Sequence, residues 1–322
     1  MTRITRRAAL AATLALPAFG ARAQVFDRPI RIIVPFGTGG VADLTARAVA
    51  QQIAPLQGQP VVVDNRPGAG GIVALQQLAS APADGHTLMV ASNGTAISRS
   101  LFNNLPLDPL NGLAPIVTMG AFPIAIVVKP DSPIRDVRDL VARLKAEPGK
   151  MNVGSITRGS TQNLSAELFK IRTDTQAETV VFPQTPALVT ALLRGDVDFA
   201  FEITGPIFGQ IQAGALRVLG VTSADRAANL PQVATLMEQG VPNYDVSSWN
   251  ALVARTGTPA EAITTLNRAV NEALARPELR TALTAVGVEP RGGTPEAMGA
   301  LLAADTARWA EVIEKAGIQR QG

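Results

Sequence analysis

The sequence predicts an α/β protein built as two lobes, on three observations. Short β-branched apolar runs alternate with stretches of helical periodicity along almost the whole chain. Setting an N-terminal leader of 23 residues aside from 322 leaves about 299, more than a single core usually encloses. Near Phe122 the alternation starts afresh, as a second set of strands and helices would.

A leader precedes the first strand. Arg3, Arg6 and Arg7 occur with no acid, residues 8–19 are a short apolar run, and Ala21-Arg22-Ala23 has the small-x-small form of a cleavage site. Residues 1–23 therefore read as a cleaved secretory signal peptide, too short in its apolar part to span a bilayer. Arg6-Arg7 leaves a twin-arginine export route open beside the general one. Without the leader, 29 Lys and Arg against 26 Asp and Glu become 25 against 26. A nearly neutral protein without a basic stripe argues against nucleic acid or an anionic membrane as partner.

The 47 % hydrophobic residues are spread widely enough to build apolar cores, and these must supply the stability, because there is no cysteine for disulfides or thiolate ligands. The single histidine, His86, rules out a multi-histidine metal site, and a Ser-His-Asp triad would have to use it. At a strand start it reads more simply as a surface or core filler. No catalytic residue, metal ligand or cofactor is expected.

The first strand is residues 30–34 (IRIIV). Pro35 stops it, and Phe36-Gly37-Thr38-Gly39-Gly40 leads into a helix that begins near Val41 and covers 44–53. Strand, glycine loop and helix start together make an anion site. The first helical amides lack intrahelical acceptors, the dipole is positive there, and glycine lets a ligand reach the main chain. Such turns also occur in α/β domains that bind nothing. A strand over 61–63, a helix over 72–79 and a strand over 88–91 follow, the last running into the small polar Ser92-Asn93-Gly94-Thr95. Loops at the carboxyl ends of adjacent strands open on one crevice, which joins Ser92 and Asn93 to the glycine loop.

The second set opens with a strand over 124–128, a helix over 137–147 and a strand over 151–154. Residues 154–169, GSITRGSTQNLSAELF, then run from small and hydroxyl residues into an amphipathic helix. Ser155, Thr157, Ser160 and Thr161 supply hydroxyls around Gly159, and Arg158 offers a fixed charge suited to a carboxylate. This is a second anion cradle, unless the hydroxyls only cap the helix and Arg158 is solvated. Strands over 179–182, 197–201 and 216–221 and a helix over 187–193 continue the set, and residues 246–254 (VSSWNALVA) form another strand. Thr258-Pro259-Ala260-Glu261 reads as a capping box with proline at the first helical position. Thr294-Pro295 opens the last helix similarly, with Trp309 on its core stripe.

The segments PIRIIVPFGTGGVADLTAR, GQPVVVDNRPGAGG, APADGHTLMVASNGT, KAEPGKMNVGS, ALLRGDVDFAF and SSWNALVARTGTP resemble the periplasmic solute-binding receptors of tripartite tricarboxylate transporters, the Bug receptor family. The resemblance runs from about Asp27 to Gly317. It implies a two-lobed Venus-flytrap of the type II periplasmic binding class, with hinge strands at 124–128 and 247–253. Lobe 1 would take residues 24–123 and 247–322, and lobe 2 residues 124–246. The resemblance further implies a receptor in the periplasm, not an enzyme, with membrane permease subunits as partners and a monomer as the default. A small organic carboxylate would be held by amides, hydroxyls and waters of 35–40 and 92–95 in one lobe and 155–161 in the other.

Departures from the family pattern gather around that pocket. Gly37-Thr38 stand where the family has proline or alanine, His86 where it has tyrosine, and Asn163 where it has histidine. A loop usually uncharged carries Arg158. The segment that usually reads Pro-Tyr-basic-Gly is VVFPQTP, with Phe182 in the tyrosine's place and Gln184 beside it. Ligand identity therefore does not carry over. Arg158 favours an anion with more than one carboxylate, whereas Glu202, if paired with Arg158, would favour a neutral or zwitterionic ligand. Two rivals stay open. One is an exported α/β enzyme, although GTGG lacks the G-x-G-x-x-G spacing and no P-loop Lys-Ser/Thr pair follows. The other is a ligand-sensing partner of a membrane signalling protein, which would share the fold and pocket.

Overall fold

The computed structural model describes residues 25–321, so the predicted signal peptide lies outside the described residues. The first half of the chain forms β1 (Ile30–Val34), α1 (Val41–Gln57), β2 (Val61–Asn65), α2 (Ile72–Ser80), β3 (Thr87–Ser92), α3 (Asn93–Leu101) and the long strand β4 (Leu113–Val128). The second set is α4 (Val137–Ala146), β5 (Asn152–Ile156), α5 (Thr161–Thr173), β6 (Glu178–Phe182), α6 (Thr185–Arg194), β7 (Phe199–Ile203), α7 (Thr204–Gln212) and β8 (Arg217–Val221). The chain ends in β9 (Ser247–Arg255), α8 (Ala260–Leu274), α9 (Pro277–Ala285), the two-residue β10 (Glu289–Pro290) and α10 (Pro295–Lys315).

β4 organises the two lobes. Up to Pro123 it pairs antiparallel with β9, and from Ile124 onward it pairs antiparallel with β7 and β8. One strand therefore serves two sheet halves, β2-β1-β3-β9-β4 and β8-β4-β7-β5-β6. The sequence places this strand only from Ile124, because Pro115 and Pro123 break the run before it. Both prolines are accommodated where the ladder is irregular: Pro115 lies at a register shift, and Pro123 at the point where the strand changes partners. β9 lies wholly in the first sheet half, between β3 and β4. The second crossing is thus at 246–247, ahead of β9, where Val246 still exchanges hydrogen bonds with Thr222.

Three apolar clusters fill the layers. Ile30, Ile32 and Val34 pack with Leu252 and Ala254 beneath α1, α8 and α9. The opposite face, with Ile33, Met89, Trp249 and the buried Trp309, runs through Ile124 and Ile126 into the second half, where it meets Phe169, Phe201 and Tyr244. α6 and α7 cover the remaining face through Leu188, Leu192 and Ile207.

Several local expectations are corrected. Helices α3, α7 and α9 are absent from the sequence reading; each has nine residues, and α3 and α7 follow their strands without a spacer, which cuts the periodic signal short. Ser92 to Thr95 is accordingly a helix start and not a loop. Thr258 makes no capping box: its Oγ1 donates to the Arg255 carbonyl at 2.8 Å, and Pro259 holds the cap position of α8. Thr294 does cap α10, its Oγ1 accepting from the Ala297 amide at 3.2 Å.

Candidate ligand cleft

Parallel pairing decides where the candidate residues go. β1 and β3 are neighbours running the same way, so the glycine loop and the start of α3 leave one edge side by side. In the other half β5, β6 and β7 are mutually parallel, and their carboxyl ends deliver 155–161, Gln184 and Glu202 to one edge. Two glycines of the second half pack against the first. A Cβ at Gly159 would lie 2.6 Å from Leu101 Cδ2 of α3, and one at Gly205 would lie 2.9 Å from the Val286 carbonyl and 3.6 Å from Val41 at the head of α1. In the first sheet half α1 and α3 begin at the carboxyl ends of β1 and β3, and in the second α5, α6 and α7 begin at those of β5, β6 and β7. Each helix start carries roughly half a positive charge.

Phe36, Gly37, Thr38, Gly39 and Gly40 are all exposed. Gly39 has φ +80°, a conformation that favours glycine. Its amide is not free: it donates to Asp43 Oδ2 at 2.9 Å, so a side chain of α1 already occupies part of the predicted anion site. Asp43 also accepts from Arg47 Nε at 2.9 Å, and Arg47 donates to Asn65, which donates to the Phe36 carbonyl. Burial disfavours the charged Asp43, but Arg47 and the Gly39 amide outweigh it and hold the carboxyl below its ordinary range.

Ser92 is buried as the cap residue of α3. The Asn93 side chain is fully engaged by its neighbours: Nδ2 donates to the Ser247 carbonyl and to Asp305, while Oδ1 accepts from Ser248 and from the Trp249 amide. This corrects the expectation for that side chain and leaves the Asn93 backbone as what the helix start presents.

Part of the second cradle is likewise committed internally. Ser160 caps α5, accepting from the Asn163 amide and donating to the Ile156 carbonyl, and Ser155 accepts from Asn163 Nδ2 at 3.1 Å. Asn163 Oδ1 takes the Gly159 amide at 2.9 Å. Thr157 holds φ +36°, uncommon for a β-branched residue. Thr157 and Arg158 are exposed, and Arg158 forms no ion pair with any described residue. Thr161 is buried in the first turn of α5, and Gln184 is exposed at the cap of α6.

Glu202 does not pair with Arg158. Its Oε1 accepts from Gln162 Nε2 and from the Ile203 amide, both at 2.8 Å, and its Oε2 accepts from Thr185 Oγ1 at 2.9 Å. Burial pushes the carboxyl above its ordinary range against these three bonds. Gln162 and Thr185 escape sequence reading, since nothing local marks them as partners of a residue on β7. His86 stands at the far, amino end of β3, edge-on to Phe26, with Asp27 and Asp84 oxygens 3.2 and 3.3 Å from its ring nitrogens. A cavity of about 460 Å³ lies elsewhere, lined by Phe122, Trp249, Asp245 and Arg308 among others and by none of the candidate residues.

Residues 45–318 match the family described as the tripartite tricarboxylate transporter family receptor. Protein BugT of Bordetella pertussis is 35 % identical over 292 residues, 90 % of this chain and 90 % of that protein. The solved structure of the periplasmic binding protein BugD covers 92 % of this chain and 100 % of its own at 28 % identity, with a TM-score of 0.77. Rpa4515 of R. palustris, solved with adipate, is 32 % identical with a TM-score of 0.80, over 92 % of this chain and 99 % of its own. With strand β4 shared between two sheet halves, and with this likeness over nearly the full length, the chain belongs to the tripartite tricarboxylate transporter receptor family, periplasmic solute-binding receptors and not enzymes.

Proposed function

We propose that this receptor captures a small dicarboxylate between its lobes, as a monomer, and hands it to the membrane permease of a tripartite transporter. The carrying observation is that the exposed guanidinium of Arg158, in the loop ahead of α5 at the carboxyl edge of the second sheet half, has no carboxylate partner among the described residues. One carboxylate of the ligand would meet the amides at the starts of α1 and α3. The other would meet Arg158 and the amides and hydroxyls at the start of α5. Two such ends suit a ligand charged at both termini, and the similar Rpa4515 was solved with adipate.

The crossings at 123–124 and 246–247 allow the lobes to swing, and a ligand bridging both edges favours the closed form because only there does it touch both. The test is thermal unfolding of the mature protein, refolded to strip bound ligand, against mono-, di- and tricarboxylates, amino acids and nucleotides. A ligand at about one hundred times its dissociation constant adds roughly 2.7 kcal/mol and raises the midpoint by several degrees. A shift confined to dicarboxylates is the expected result. No shift with any carboxylate would overturn the reading.

A further inference from the structure

Asn250 interrupts an apolar stripe. Along β9, Leu252 and Ala254 pack into the cluster beneath α1, and the alternation of a strand puts Asn250 on the same face. Its cross-strand neighbours are Ser92, the cap of α3, and Gly120 of β4. On that face β3 contributes Val90 and β1 contributes Val34, the residue that ends the strand before the glycine loop. Asn250 thus lies at the carboxyl edge of the lobe 1 sheet, beside the start of α3 and near the loop into α1.

The residue is 1 % exposed, and its Nδ2 is buried with no hydrogen-bond partner among the described residues. An unpaired buried donor is destabilising, and a leucine of similar volume would extend the stripe of Leu252. Folding alone gives no reason for an amide at this position. Asn93 is the opposite case, with donors and acceptor all engaged by its neighbours.

We propose that Asn250 is a specificity contact of the ligand cleft, its Nδ2 donating to an oxygen of the carboxylate that enters lobe 1. The contact is uncharged, so it reads the direction of an oxygen and not the net charge. It divides the labour of recognition: Asn250 fixes the inner carboxylate, while Arg158 meets the outer one from lobe 2. The inference rests on the carboxylate-receptor reading above.

Isothermal titration of the mature wild type and of Asn250→Leu with adipate, succinate and citrate separates the two ideas, together with the unliganded melting midpoint of each protein. Expected are a midpoint at or above that of wild type for the leucine variant and at least tenfold weaker binding of whichever carboxylate wild type binds best. Binding within twofold of wild type would overturn the role of Asn250 and leave the receptor reading standing. Wild type that binds no carboxylate would overturn both. Should Asn250→Leu not fold, the side-chain amide resonance of Asn250 in ¹⁵N-labelled wild type decides: it must move on saturation with the bound carboxylate, and an unmoved pair would overturn the proposal.

Discussion

Asn93 and Asp305, 212 residues apart in sequence, meet in a buried hydrogen bond of 2.8 Å. The bond ties the first residue of α3 to α10, and the same carboxylate oxygen accepts Trp249 Nε1 at 2.7 Å. Asn93 in turn accepts from β9, so α3, β9 and α10 form one unit that holds the start of α3. Burial pushes the Asp305 carboxyl above its ordinary range, opposed by Trp249, by Arg308 at 3.0 Å and by Asn93.

Asp305→Ala removes the one acceptor these donors share. Breaking a buried, hydrogen-bonded charge by deleting one partner costs about 3–5 kcal/mol. Urea unfolding should show that loss in the midpoint at unchanged slope, and carboxylate binding should weaken as the start of α3 loosens. A loss under about 1 kcal/mol would mean that water or a shifted side chain replaces the carboxylate.

Glu202→Gln should act in the other direction at neutral pH. The folded protein holds the Glu202 proton more tightly than the unfolded chain does, because burial raises its carboxyl above the ordinary 4.5. The sign follows: relative to the protonated form, this group lowers stability above its folded pKa, and the deficit vanishes as pH falls to the unfolded value. Glutamine keeps the acceptor for Gln162 and the Ile203 amide and can donate to Thr185, whose hydroxyl turns. The variant should therefore melt higher at pH 7, a gain of about 1 kcal/mol being worth roughly 2–4 °C, and the advantage should shrink toward pH 4. An equal difference at both pH values would show that packing, not ionisation, sets it.

Arg158→Ala concerns binding alone. The side chain is exposed and unpaired, so stability should change by no more than about 0.5 kcal/mol. Titration should show a dicarboxylate losing more affinity than a monocarboxylate of similar length, since only the former has a second charge to leave unmatched. Equal losses for both would argue against a direct ion pair.

How far the sequence is legible differs between the backbone and the side chains of the cleft. That 35–40 and 155–161 hold one ligand is implied by the family resemblance. Runs such as IRIIV and VDFAF announce their strands, the latter two residues early, and parallel order then forces the loops after them to shared edges within each half, so those edges follow from local signals. What the side chains do there does not. Asn93, Ser155 and Glu202 look alike as small polar or acidic candidates, but their partners are Asp305, Asn163 and Gln162, set by packing between elements that no local pattern links. Asp43 shows the same limit, because a helix-start acid can fill an anion site from within its own first turn. β4 fails for a different reason: proline argues locally against a strand, and only the bulge and the change of partners explain its presence.

Gly205 offers the sharpest test that closure of the lobes is what binds the ligand. It opens α7 in lobe 2, and its Cα lies 2.9 Å from where a Cβ on Gly287 would stand in lobe 1, while a Cβ of its own would come within 2.9 Å of the Val286 carbonyl. These obstacles are main chain, which no rotamer change removes. Its φ lies outside the glycine-favouring region, so a side chain brings no backbone strain and acts on the approach of the lobes alone. Gly205→Leu should hold α7 away from 286–287 and tilt the balance toward the open form. Overpacking of this kind costs about 1–3 kcal/mol, and a cost confined to the closed form corresponds to binding weakened roughly 5- to 150-fold. Gly209→Leu, on the same helix with open space around its Cβ, is the control and should bind as wild type does. Small-angle scattering completes the test: the Gly205 variant should keep a larger radius of gyration when ligand is added, whereas wild type contracts. Undiminished affinity with a wild-type radius would show that the ligand is bound without this contact between the lobes.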